Sequence, residues 1–94
     1  MSRTEHILIH GRVQGVGYRA WARHQAQLHG LRGWVRNRRD GAVEAVMAGP
    51  EDAVAVMLKV LAQGPQGANV TEIEHLPDNG RVIVSDGFEI LATA

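Results

Sequence analysis

His6-Ile7-Leu8-Ile9-His10-Gly11-Arg12-Val13-Gln14-Gly15-Val16-Gly17-Tyr18-Arg19 is a strand that hands over to a helix through three glycines. Ile7 and Ile9 alternate with polar His6 and His10, the period of a strand with one buried face, running to about Arg12. A helix is predicted over 18–29: residues 20–28 are good helix formers without Gly or Pro, and Gly30 stands where a left-handed C-cap belongs. Trp21 and Leu28 fall on one side of it at spacing seven, with Ala22, Gln25 and Ala26 near them, which predicts a helix whose small residues pack close to a sheet.

Working outward, residues 31–36 alternate again, 37–41 are turn chemistry ending in Asp40-Gly41, and 42–48 alternate once more, so a β-hairpin is expected. Gly49-Pro50-Glu51-Asp52 reads as a helix start, and Val54, Met57, Leu58 and Leu61 repeat at helical spacing before Gly64-Pro65 stops the run. The rest carries a loop over 66–69, a short strand over 70–75, a turn at 77–80, a further strand or extended connection over 81–85, and a final strand over 87–91. The order is β-α-β-β-α-β. This is the ferredoxin-like split βαβ arrangement of the α+β class, an antiparallel sheet with two helices on one face, and residues 1–94 are expected to form a single domain.

In that topology the first and second strands run in the same direction with the third inserted between them. Their C-terminal ends therefore share one edge of the sheet. The glycine loop with Arg19 follows one strand and Asn37 ends the other, so residues eighteen positions apart converge there. Glycines let successive N–H groups of 14–19 turn toward one spot, a helix N-terminus adds partial positive charge, and Arg19 adds a planar fork of donors suited to phosphate. Local physics leaves two readings open: an anion-binding loop, or a turn followed by a solvated arginine that sits unfavourably against the helix dipole.

Composition narrows the classes. Ninety-four residues suffice for one modest core. With no cysteine, disulfide frameworks and thiolate chemistry are excluded. Ten basic against ten acidic side chains argue against affinity built on many nucleic-acid phosphates. No apolar run is long enough for a signal peptide or membrane span, so a cytoplasmic protein without a membrane partner is the expectation.

If a phosphoryl group sits in the loop, held by backbone N–H groups of Gln14, Gly15, Val16, Gly17, Tyr18 and Arg19 and by the Arg19 guanidinium, Asn37 is the uncharged polar side chain facing it from the other strand. An amide is no general base, but it accepts from a water and donates to a phosphoryl oxygen. The motif offers no nucleophile, general acid or metal cluster. A phosphate ester needs such help, whereas a carboxyl phosphate expels a carboxylate that leaves unaided. An acyl phosphate hydrolysed by in-line water attack is therefore expected, with inorganic phosphate as product.

The two segments 9–19 and 33–43, the second continuing to Gly49, closely resemble the two signatures of the acylphosphatase family. The resemblance extends over nearly the whole chain through Gly49-Pro50 and a closing Phe88-x-Ile90 strand, and it is specific up to about Pro50. It implies a ferredoxin-like fold, a small monomer needing neither metal nor cofactor, phosphate binding by Arg19 and water orientation by Asn37. Residues 66–86 carry none of the segments on which the resemblance rests, so it gives no strand boundaries there. A non-catalytic phosphate- or RNA-binding module on the same scaffold is the competing reading.

Other residues have simpler explanations. His6 and His10 share a strand face with no obvious carboxylate partner, and His24 and His29 lie five apart, which is not a helical metal pair. Glu44, Glu72, Glu74 and Glu89 alternate as solvent-side positions do. Trp34 among Arg32, Arg36, Arg38 and Arg39 resembles a nucleic-acid face, but 42–48 lacks the stacking aromatics such a face needs, so no nucleic-acid partner is expected. The arginines near Asn37 are expected to raise the local potential for anionic substrates.

Overall fold

Ser2–Arg12 forms strand β1, and its Ile7 and Ile9 are wholly buried as the alternation requires. The computed structural model describes residues 1–77 and 84–94. Helix α1 (Tyr18–Leu28) follows, then β2 (Arg32–Asn37), β3 (Val43–Pro50), α2 (Glu51–Gln63), β4 (Asn69–Leu76) and β5 (Phe88–Ile90). All but the first residue of the turn expected at 77–80, and the first part of the segment expected at 81–85, lie outside the described residues.

The strand order β4-β1-β3-β2-β5 is that of a split βαβ fold with one strand added beyond β2. β1 pairs antiparallel with β3 and β4, and β2 pairs antiparallel with β3. β5 runs parallel to β2, with Val35 opposite Ile90, so the sheet is mixed rather than antiparallel throughout. Both helices pack on one face, α1 over β2 and β5 and α2 over β1, β3 and β4.

The stripe that α1 buries is Tyr18, Ala22 and Ala26, one turn apart, with Trp21 beside it at 5.4 Å from the Tyr18 ring. Leu28, expected on the buried side, is 66% exposed. Two alanines let the helix approach the sheet closely, and the stripe they set up carries Leu28 past the edge of it. Gly30, with φ of 69°, ends the helix. Its N–H donates to Gln27 and that of Leu31 to Ala26, closing the last carbonyls in a Schellman pattern. In α2 the buried residues are Val54, Met57 and Leu61.

The face of the sheet away from the helices is not simply solvated. Glu44 on β3 is only 3% exposed, not solvent-side as its alternation suggests. The central strand is covered there by its neighbours: Trp34 on β2 and His6 on β1 meet edge to face at 6.1 Å, and the Arg36 guanidinium lies 4.8 Å from the Trp34 ring centroid. Beneath them Glu44 receives His6 Nε2 at 2.6 Å and Arg36 Nε at 2.8 Å, with Arg38 Nη1 at 3.7 Å. His10 likewise meets Glu74 at 2.9 Å. Both strand histidines thus have the carboxylate partner that their own strand does not reveal, because it comes from the strand alongside.

Candidate active site

The loop after β1 turns through Gly15 and Gly17, with φ of 76° and 75°. Other side chains rarely adopt that backbone, and an added Cβ at either position would meet nothing within 4 Å, so the requirement is conformational rather than steric. Gly17 is the N-cap of α1 in the left-handed conformation, and no side chain caps that end. The first helical bond is Trp21 N–H to Gly17 C=O at 3.1 Å. The N–H groups of Tyr18, Arg19 and Ala20 are therefore outside the helical ladder, and the first turn holds no acidic residue.

A cavity of about 230 Å³ opens at this end of the helix, lined by Val13, Gln14, Gly15, Gly17, Tyr18, Arg19 and Ala20 on one side and by Asn37 and Ile90 on the other. Arg19 and Asn37 do converge on one sheet edge. Val16 is not among the lining residues; its side chain packs against the core. The Arg19 guanidinium makes no hydrogen bond or ion pair among the described residues. Asn37 Oδ1 is buried and has no hydrogen-bond partner among them. A buried acceptor left unpaired is costly, and Asn37 belongs to the lining of the cavity, where a bound molecule can supply a partner.

Two side chains of the loop point elsewhere. Tyr18 donates its hydroxyl to the Leu61 carbonyl at 2.6 Å, and its burial pushes the phenol pKa up, so it is a strut between α1 and α2 rather than an acid or base of the cavity. Gln14 Nε2 donates to the carbonyls of Arg38 and Ala42 at 2.8 and 2.9 Å. It latches the loop to the turn that follows Asn37. No local pattern discloses this latch, since its partners lie 24 and 28 residues away.

The hairpin turn itself is closed by Arg38 N–H to Ala42 C=O at 2.9 Å and by Ala42 N–H to Asp40 Oδ1 at 3.0 Å. That backbone hydrogen bond heads the causes that hold the Asp40 carboxyl below its ordinary range. Arg36 and Arg38 are engaged by Glu44 and Asp40. The expected attraction of anions by these arginines is thereby reduced, and among the described residues the positive charge lining the cavity without an ion-pair partner is Arg19.

Further support comes from relatives. The family model described as acylphosphatase matches residues 5–90. The chain is 58% identical over 97 residues, covering 99% of both sequences, to a curated acylphosphatase of Azorhizobium caulinodans. Among solved structures it superposes on the acylphosphatase of Bacillus subtilis with a TM-score of 0.82 at 34% identity, covering 97% of this chain and 99% of that one. For the acylphosphatase of Coxiella burnetii the TM-score is 0.84 at 30% identity, over 96% of this chain and 93% of the other. With the loop, the guanidinium and the orphaned amide oxygen gathered at one sheet edge, and with matches of this extent, the chain belongs to the acylphosphatase family.

Proposed function

We propose that the cavity hydrolyses acyl phosphates to a carboxylate and inorganic phosphate. The observation that carries this is that one cavity is lined by Arg19, whose guanidinium makes no hydrogen bond or ion pair among the described residues, and by Asn37, whose buried Oδ1 has no partner among them. The phosphoryl group sits against the loop, its oxygens accepting from backbone N–H groups of 14–19 and from Arg19, and the helix N-terminus adds its partial charge. A water donates to Asn37 Oδ1, which aims a lone pair at phosphorus, while the Asn37 NH₂ donates to a phosphoryl oxygen.

The new P–O bond forms as the bond from phosphorus to the acyl oxygen breaks. Its electron pair leaves with the carboxylate, and the proton of the water passes to a phosphoryl oxygen. Tyr18 is turned away and supplies no proton to the leaving group, and none is needed for a group whose conjugate acid has a pKa of roughly 4. The protein contributes position and charge.

Steady-state hydrolysis of benzoyl phosphate in the presence of a chelator tests the reading. Wild type should turn over, with inorganic phosphate as a competitive inhibitor, and Arg19→Ala should lower kcat/KM by about 10²–10³ or more. Asn37→Ala should reduce kcat strongly while phosphate still binds. An inactive wild type, or phosphate that does not compete, would overturn the proposal.

A further inference from the structure

Ile90 is a large apolar side chain left 38% exposed in water, and it lines the same cavity as Arg19 and Asn37. A lone exposed isoleucine on a surface needs no explanation. One at the rim of a polar cavity is different, because its position decides what a bound molecule touches next.

Period-two alternation puts Phe88 and Ile90 on one side of β5. Phe88 is taken into the core, where α1 packs over the strand, but Ile90 faces the cavity at the helix N-terminus. Its place relative to Asn37 is fixed by backbone pairing. Ile90 stands opposite Val35, Leu91 N–H donates to Val35 C=O at 2.9 Å, and Ala94 N–H donates to Asn37 C=O at 3.0 Å. The rim therefore holds its distance from the amide rather than moving as a loose tail.

The cavity is thus divided by chemistry. One part offers loop N–H groups and Arg19, the sole charged side chain among the described lining residues. The other part offers Ile90. Asn37, which the reaction itself engages, is the polar neighbour on that side, and among the described residues no lysine or arginine lines it to pair with a charged substituent.

We propose that Ile90 is a specificity residue that receives the acyl group, and that the preferred substrates are acyl phosphates with an apolar acyl group, aryl or branched alkyl, over those with a small or carboxylate-bearing one. This rests on the acyl phosphate reading of the site. An apolar acyl group covers the exposed isoleucine and loses water itself, whereas a carboxylate placed there would be desolvated without a partner.

The test compares kcat/KM for benzoyl, acetyl and succinyl phosphate in wild type, Ile90→Ser and Ile90→Leu, with inhibition by inorganic phosphate as the check that the phosphoryl subsite is intact. Expressing each variant relative to wild type cancels the intrinsic reactivity of the three acyl phosphates. The benzoyl-to-acetyl ratio should fall about three- to tenfold in Ile90→Ser and be kept in Ile90→Leu, less than the roughly 10–200-fold that one methylene supplies in an enclosed apolar pocket, because Ile90 covers only one side of the acyl group. Succinyl phosphate should gain relative to benzoyl phosphate in Ile90→Ser. A ratio unchanged by Ile90→Ser, or an equal fall for all three substrates, would overturn the assignment while leaving acyl phosphate hydrolysis standing. A wild type inactive on all three would overturn both together.

Discussion

An arginine in the first turn of a helix opposes the dipole unless an anion lies between its guanidinium and the free backbone N–H groups. Arg19 stands in that position, two residues after the N-cap Gly17. Its value to the site is the planar fork rather than the charge alone, so Arg19→Lys should lose at least about tenfold in kcat/KM toward benzoyl phosphate. Equal rates for the two side chains would contradict the role. Asn37→Asp probes the other wall: it keeps the shape and the acceptor but places a negative charge beside the phosphoryl group. Both kcat/KM and the affinity for inorganic phosphate should fall, the former by about 10² or more. Arg19 and Asn37 were legible in the sequence because the topology forces two strand ends to one edge. The reach of Gln14 was not, since a side-chain amide chooses its acceptors only once the hairpin has folded beside it.

At the scale of elements the site is a junction between the loop 13–17 and the hairpin turn 38–42, and Gln14 is what joins them. Both of its acceptors keep another partner, since Gly41 N–H donates to the Arg38 carbonyl and Arg38 N–H to that of Ala42. Gln14→Met, which retains the stem without the donors, should therefore cost only about 1–2 kcal/mol of stability. Its larger effect should be on catalysis, because cradle and water-positioning amide no longer share a frame, and small misplacements are expensive in rate. A fall in kcat of about tenfold is expected, measured beside thermal unfolding; a lower Tm with unchanged kcat would make Gln14 purely structural. The helices and the hairpin were readable from periodicity, Gly30, Gly64 and Asp40-Gly41. The parallel docking of β5 on β2 was not, for three residues of strand carry no signal of which edge they will join.

Across the whole molecule the two faces of the sheet divide the labour. The helix face makes the core and the cavity, and the other face is sealed over β3 by an ion cluster. Glu44 was misread from the sequence because alternation reports which side a residue faces, not whether that side is wet. Burial pushes its carboxyl up, but hydrogen bonds from His6 and Arg36, together with the Arg36 charge, outweigh this and hold it below the ordinary value of 4.5. Arg38 also faces it. The unfolded chain therefore takes up a proton before the folded one as pH falls, and the stability that ionised Glu44 contributes is present above about 4.5 and lost as pH drops through the lower folded value. Glu44→Gln should lower stability at pH 7 by about 1–3 kcal/mol, since the charge-assisted bonds become neutral ones. The gap between the two proteins should narrow on acidification, because protonation removes from wild type what the substitution has already removed. Denaturant melts of both at pH 7 and pH 3.5 read this directly, and a gap of constant size at the two values would show that the cluster contributes shape rather than charge.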